Sequence, residues 1–183
     1  MNVMKKIRIE KITLNIGCGK DQSKLEKAVQ LIKNITGITP IKTVTQKRIP
    51  EWSLRPGLPV GCKITLRKKA AKELLIRLLK SKDNRLDEKN FSKSGGLSFG
   101  IPEYIDIPDV KYDPEIGIIG LEVSVTLERP GFRVKRRKVG KKTLPKRHDI
   151  TKEDSIEFIK KEFKIKMGDE EWVIAIIKKH SNN

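Results

Sequence analysis

Aromatic residues make up only 5% of this 183-residue chain, and cysteine occurs twice. So few rings argue against a platform on which successive bases of a single strand could stack. Cys18 and Cys62 sit in segments of alternating apolar residues rather than in paired spacings. That pattern suggests neither a disulfide framework nor a thiolate metal site, and both read as small reduced core residues of a cytoplasmic protein. Long apolar runs are missing too. The longest falls within Trp172–Ile177, far short of the roughly 20 residues a membrane helix needs, and the start MNVMKKIRIE lacks the apolar core of a secretory signal. Negative charge is scarce: 23 Asp and Glu stand against 41 Lys and Arg, a formal net charge of +18. Self-repulsion on that scale opposes the compact state, and a polyanionic partner is the physical reason to tolerate it. With no membrane segment, nucleic acid is the partner expected.

Catalytic constellations are also wanting. His148 and His180 have no partners at metal-ligand spacing. There is no Gly-x-Ser-x-Gly elbow, and a Cys–His nucleophile would need one of those histidines to reach a strand cysteine. The acids are scattered among cations, without the cluster a two-metal nuclease requires. Gly17-Cys18-Gly19 between a strand and a helix invites a dinucleotide-binding reading, but the third glycine of that fingerprint would fall at Gln22. The reading is therefore non-enzymatic, with no catalytic residue, no metal and no cofactor.

What is present is alternation and positive charge. From Arg8 to Ile16, Ile12, Leu14 and Ile16 fall on one side of a strand and Lys11, Thr13 and Asn15 on the other. Ser23-x-x-Glu26 offers a capping box for a helix carrying Leu25, Ala28, Val29, Ile32 and Ile35 and stopped by Gly37. A second strand spans Thr39–Gln46. Residues 47–60 (KRIPEWSLRPGLPV) hold three prolines and a glycine and read as a long flexible loop, a length usually functional or disordered. Its Trp52 can stack on a base or fold back over the core, and the sequence leaves both open.

Gly61–Arg67 is a third strand, with Cys62, Ile64 and Leu66 against Lys63, Thr65 and Arg67. Ala71, Leu74, Leu75, Leu78 and Leu79 stripe a second helix. The glycines of Gly95–Gly100 fit either a phosphate-hugging turn or a bulged strand. Pro102–Glu115, acidic and punctuated by proline, reads as loop. Leu121, Val123, Val125 and Leu127 mark the clearest strand, and a last helix starts near Thr151 to bury Ile156, Ile159 and Phe163. Between those two lies a basic stretch, residues 129–148. It carries Arg129, Arg133, Lys135, Arg136, Arg137, Lys138, Lys141, Lys142, Lys146 and Arg147, with no acid and few apolar residues. Such a segment is expected to be extended or loosely ordered until a polyanion lies against it.

These elements predict one domain over residues 1–183 of the α+β class: a mostly antiparallel sheet, helices packed on one face, and an open face bearing Lys11, Thr13, Asn15, Lys63, Thr65 and Arg67. A basic, hydrogen-bonding open face suits a nucleic-acid backbone. Folded RNA read by shape fits better than DNA read by base, because no recognition helix with a basic face stands out. An RNA-processing nuclease and a charge-driven coat for DNA are the competing classes. Equal binding of DNA and RNA at matched salt would favour the coat.

The runs Glu10–Gly17 (EKITLNIG), Leu54–Arg67 (LRPGLPVGCKITLR) and Phe91–Ile101 (FSKSGGLSFGI), followed by the acidic Ile105–Asp113 loop, closely resemble ribosomal protein five of the large subunit. That family is the 5S rRNA-binding protein of the central protuberance. The chain lacks the additional N-terminal helix of bacterial members and carries the basic stretch before its last helix, and both features look archaeal. The resemblance implies that Asn15, Gly17, Lys63, Thr65 and Arg67 belong to a 5S rRNA-binding face. It also implies that the loop formed by Pro50, Glu51, Trp52, Ser53, Leu54, Arg55, Pro56 and Gly57 approaches P-site tRNA. Further partners would be 23S rRNA, neighbouring large-subunit proteins and a small-subunit protein across an intersubunit bridge. The basic stretch has no bacterial counterpart, and rRNA is its expected partner.

Overall fold

The computed structural model describes residues 2–168; Trp172–Ile177 and His180 lie outside them. Among the described residues seven strands form: β1 (Arg8–Gly17), β2 (Ile41–Val44), β3 (Pro59–Arg67), β4 (Arg85–Leu86), β5 (Leu97–Ile101), β6 (Leu121–Glu128) and β7 (Lys166–Met167). Five of them make an antiparallel sheet in the order β2-β3-β1-β6-β5. β4 and β7 pair separately, in parallel. The period-2 patterning is obeyed throughout. Ile12, Leu14 and Ile16 of β1, Cys62, Ile64 and Leu66 of β3, and Leu121, Val123, Val125 and Leu127 of β6 are all buried on one face.

Helices α1 (Gln22–Thr36) and α2 (Lys68–Lys80) lie against β1 and β3 and cover that face. Leu25, Ala28, Leu31, Ile32 and Ile35 of α1, and Ala71, Leu74, Leu75, Leu78 and Leu79 of α2, are buried. A large aliphatic side chain taken from water contributes roughly 1.5–3 kcal/mol. An exposed i,i+4 pair such as Lys69–Glu73 contributes only about 0.3–0.5 kcal/mol. The apolar stripes, not the surface charges, therefore hold the helices in place. The third helix, α3 (Lys152–Phe163), opens with a reciprocal capping box between Thr151 and Asp154. Ile159 of α3 is buried, while Ile156 and Phe163 are only half-buried.

Several local expectations shift. Helix α1 is capped not by Ser23 but by Asp21, whose Oδ1 accepts from the Lys24 N–H at 3.2 Å. Asp21 has the extended backbone a cap needs, and Ser23 is already helical. The second strand is shorter than Thr39–Gln46, and Pro59 and Val60 join β3 instead of the loop. Pro59 is tolerated there because the pairing of β3 with β1 ends at Gly61, opposite Gly17, so the missing N–H costs nothing on that side.

The glycine-rich segment supplies the turn before β5 and the strand itself. Gly95 has φ +76°, and a Cβ there would meet Ile150 Cγ2 at 2.6 Å and Ser155 Oγ at 2.8 Å. Ser155 donates to the Gly95 carbonyl at 3.0 Å, which docks α3 on this turn. The acidic segment between β5 and β6 is a packed loop. Tyr104, Ile107, Ile116 and Ile119 are buried, and the Tyr104 hydroxyl accepts from the Asp113 N–H at 3.0 Å.

Candidate nucleic-acid interface

The register of β1 with β3 sets the predicted polar residues opposite one another: Lys11 faces Arg67, Thr13 faces Thr65 and Asn15 faces Lys63. All six stand on the face that the helices leave open, and Lys63, Thr65 and Arg67 are exposed. The Thr13 and Thr65 hydroxyls lie 3.4 Å apart. Asn15 Nδ2 donates to Glu122 Oε2 of β6 at 3.2 Å, which fixes the amide's direction. Gly17 ends the row opposite Gly61. A Cβ at Gly61 would fall 2.5 Å from the Ile16 carbonyl oxygen, so the two strands close tightly here. Cys18 and Cys62 lie on the covered side, both free and buried. Burial pushes the Cys62 thiol up to about 11, with Cys18 adding a smaller push, so it carries no reactive thiolate at neutral pH.

At the other end of the open face sits a charge cluster that alternation alone did not reveal. A register shift between Ile9 and Lys11 brings Glu10 into it beside Lys11. Glu10 accepts from Arg67 Nη1 at 3.1 Å and also from Arg136. Glu128 accepts from Arg8 Nε at 2.9 Å and from Arg136 Nη2 at 2.6 Å. Burial pushes the Glu10 carboxyl up, but the bonds and charges of Arg67 and Arg136 outweigh it and hold Glu10 below the usual carboxylate range. The two carboxylates are only 10% and 11% exposed at their side chains. The available signal was two acids at strand positions facing a strongly basic chain.

The basic stretch is thus neither uniform nor wholly extended. Phe132 is buried, with Lys135 Nζ 4.3 Å from its ring centroid and His148 edge-on to it. Short 3-10 turns form at Phe132–Lys135 and Lys146–His148. Arg129, with its side chain 9% exposed, donates to Asp154 Oδ2 at 2.8 Å and to the Asp149 carbonyl at 3.2 Å. It ties the end of β6 to the start of α3 and is not displayed. Arg136 is engaged as described. Arg133, Arg137, Lys138, Lys141, Lys142, Lys146 and Arg147 are half- to fully exposed, as is Lys135.

The 50–57 loop is a closed tip rather than an irregular strand connection. Thr45 N–H donates to Leu58 O at 2.9 Å, Gly57 N–H to Thr45 O at 2.8 Å, and Ile49 bridges Leu54. Pro50–Trp52 form a 3-10 turn that Ser53 ends at φ 54°. Trp52 is 65% exposed and does not plug the core; Leu54, 8% exposed, turns inward instead. Arg55, Pro56 and Gly57 are exposed beside it.

Among the described residues no group of three or more His, Cys, Asp or Glu could hold a metal ion, and no helix is long and apolar enough to cross a membrane. Two family models cover the chain: Ribosomal protein L5 over residues 2–55, and the C-terminus of the same ribosomal family over residues 59–158. The large ribosomal subunit protein uL5 of Nanoarchaeum equitans is 49% identical over 90% of this chain and 97% of its own length. Its counterpart in Sulfurisphaera tokodaii is 45% identical over 90% and 94%. That of Methanosphaera stadtmanae is 44% identical over 90% and 98%. The chain belongs to the ribosomal protein L5 family, in its archaeal form.

Proposed function

We propose that this chain is a structural constituent of the large ribosomal subunit whose open sheet face docks on 5S rRNA. Its family is one of structural ribosomal proteins rather than enzymes, and its work is electrostatic and geometric. The observation that carries the reading is the cross-strand register of Lys11 with Arg67, Thr13 with Thr65 and Asn15 with Lys63. It gathers cations and neutral hydrogen-bonding groups on a face that no helix covers. Cations fix an RNA backbone in place, and hydroxyl and amide groups add directional bonds.

In this reading the exposed members of the basic stretch, Arg133, Arg137 and Lys138 among them, neutralise phosphates of 23S rRNA. The tip around Trp52 and Arg55 meets P-site tRNA, because it projects an exposed ring and cation on a short closed turn. The contacts with a small-subunit protein and with large-subunit neighbours rest on the family resemblance alone.

The test is binding of the purified protein to 5S rRNA and to a duplex DNA of equal length across a salt series. A preference for the RNA that survives at high salt supports the reading. Equal affinities that vanish together would make the chain a charge-driven polyanion binder. Asn15→Ala with Thr65→Ala should weaken RNA binding while the fold stays intact, and unchanged affinity in that folded variant would remove the open face from the interface.

A further inference from the structure

The open face is divided electrostatically across its strands. On β1 and β3 it carries Lys11, Lys63 and Arg67. On β6 and β5, residues of the same face are Glu122, Ser124, Thr126 and Glu128, followed by Ser98 and Gly100, with no cation among them. Arg136, which reaches this half from outside the sheet, is engaged by Glu128 and Glu10. Lys82 comes in only at the far end, beside Gly17 and Gly100.

Across this division runs one unbroken row of hydroxyls. Thr65 faces Thr13, Thr13 faces Ser124, and Ser124 faces Ser98. Neighbouring strands are about 4.8 Å apart, so the four hydroxyls span three such steps in a straight line. Ser98 and Ser124 are exposed. They line a groove of about 270 Å³ together with Ser92, Ser94 and Thr126.

We infer that the β6–β5 half of this face takes the ribose edge of the RNA, with Ser124 and Ser98 bonding 2′-hydroxyls, while the β1–β3 half takes the phosphates. The inference deepens the proposed 5S rRNA reading and rests on it. A half-face with two carboxylates and no cation cannot neutralise a phosphate run, since Glu122 is an acceptor only and repels a phosphate oxygen. A hydroxyl both donates and accepts, which matches a 2′-hydroxyl in either sense. A-form RNA presents its 2′-hydroxyls along a wide, shallow minor groove that a sheet face can approach, and DNA has none to present. The serine pair therefore discriminates RNA from DNA, and the cation pair supplies the salt-dependent affinity.

The experiment compares Ser98→Ala/Ser124→Ala, Ser98→Thr/Ser124→Thr, Asn15→Ala/Thr65→Ala and Lys63→Ala, each checked for an unchanged thermal midpoint. Each is titrated with 5S rRNA and with duplex DNA over a salt series. The double alanine variant should lose about tenfold in RNA affinity, the effect of two neutral hydrogen bonds. Its DNA affinity and its slope of log K against log salt should stay at the wild-type values. The threonine variant should keep RNA affinity, because it keeps both hydroxyls. Lys63→Ala should instead lower the salt slope by about 0.7–0.9 on both polymers. Undiminished RNA affinity in the double alanine variant, or an equal loss on DNA, overturns the inference. If Asn15→Ala/Thr65→Ala still weakens RNA binding in that case, the 5S reading stands without it. If that variant is silent as well, the open face is not the RNA site and both fall.

Discussion

Arg136 Nη2 lies 2.6 Å from Glu128 Oε2, and the other terminal nitrogen of the same guanidinium bonds Glu10 on the adjacent strand. One residue of the basic stretch thus clasps two strands of the sheet. Arg136→Ala should free the stretch locally and lower stability by about 1 kcal/mol. The figure is modest because its side chain is 44% exposed and solvent screens the pair. Hydrogen exchange should then rise through 133–142 while the amides of β1 and β6 stay protected.

Acid should undo the same cluster. The Glu10 carboxyl is held below its ordinary 4.5 in the folded protein by Arg67 and Arg136, against the opposing push of burial. A depressed folded pKa adds stability that is fully present above the unfolded value and is lost as pH falls through the folded one. Denaturant midpoints should therefore be flat from pH 7 to about 5 and fall below about 4.5. Glu10→Gln should begin less stable and show a shallower fall over that window; an unchanged slope would show that Glu10 does not drive it.

Arg129→Met should cost about 3 kcal/mol, more than the loss of any exposed cation in the stretch, because it leaves Asp154 and the Asp149 carbonyl without their partly buried donor. Chemical denaturation should show this as a lowered midpoint with α3 affected first. Lys141→Met, at an exposed position, should stay within about 0.5 kcal/mol of the parent.

Two glycines that face each other should respond differently. Gly61→Ala drives a Cβ to 2.5 Å from the Ile16 carbonyl oxygen, so β1 and β3 must part locally at a cost of about 1–3 kcal/mol. Gly17→Ala meets nothing within 4 Å and should be nearly neutral. Thermal melts of the two variants decide it.

Trp52→Ala should leave the thermal midpoint within about 0.5 kcal/mol of the parent, as expected for an exposed side chain. Its 5S rRNA binding should also be unchanged, whereas tRNA-dependent steps in reconstituted ribosomes should slow. Leu54→Ala, at the inward position of the same tip, should destabilise it by about 2 kcal/mol or more.

The sequence by itself determined the α+β class, the faces of β1, β3 and β6, the stripes of α1 and α2, and the basic character of the molecule. Those features depend on local periodicity and composition, since a side chain's face in a strand or helix follows from its position in the repeat. Its runs also carried the family. Only the tertiary structure decided which cations remain available. Arg129 and Arg136 look like any other members of a ten-cation run, and Glu10 and Glu128 like any strand acids, until the fold brings together residues more than a hundred positions apart. The same holds for the tip, where Trp52 faces outward and Leu54 inward because a single left-handed residue at Ser53 reverses the chain. The row Thr65, Thr13, Ser124 and Ser98 is likewise a product of register, which strand pairing sets and no one segment contains.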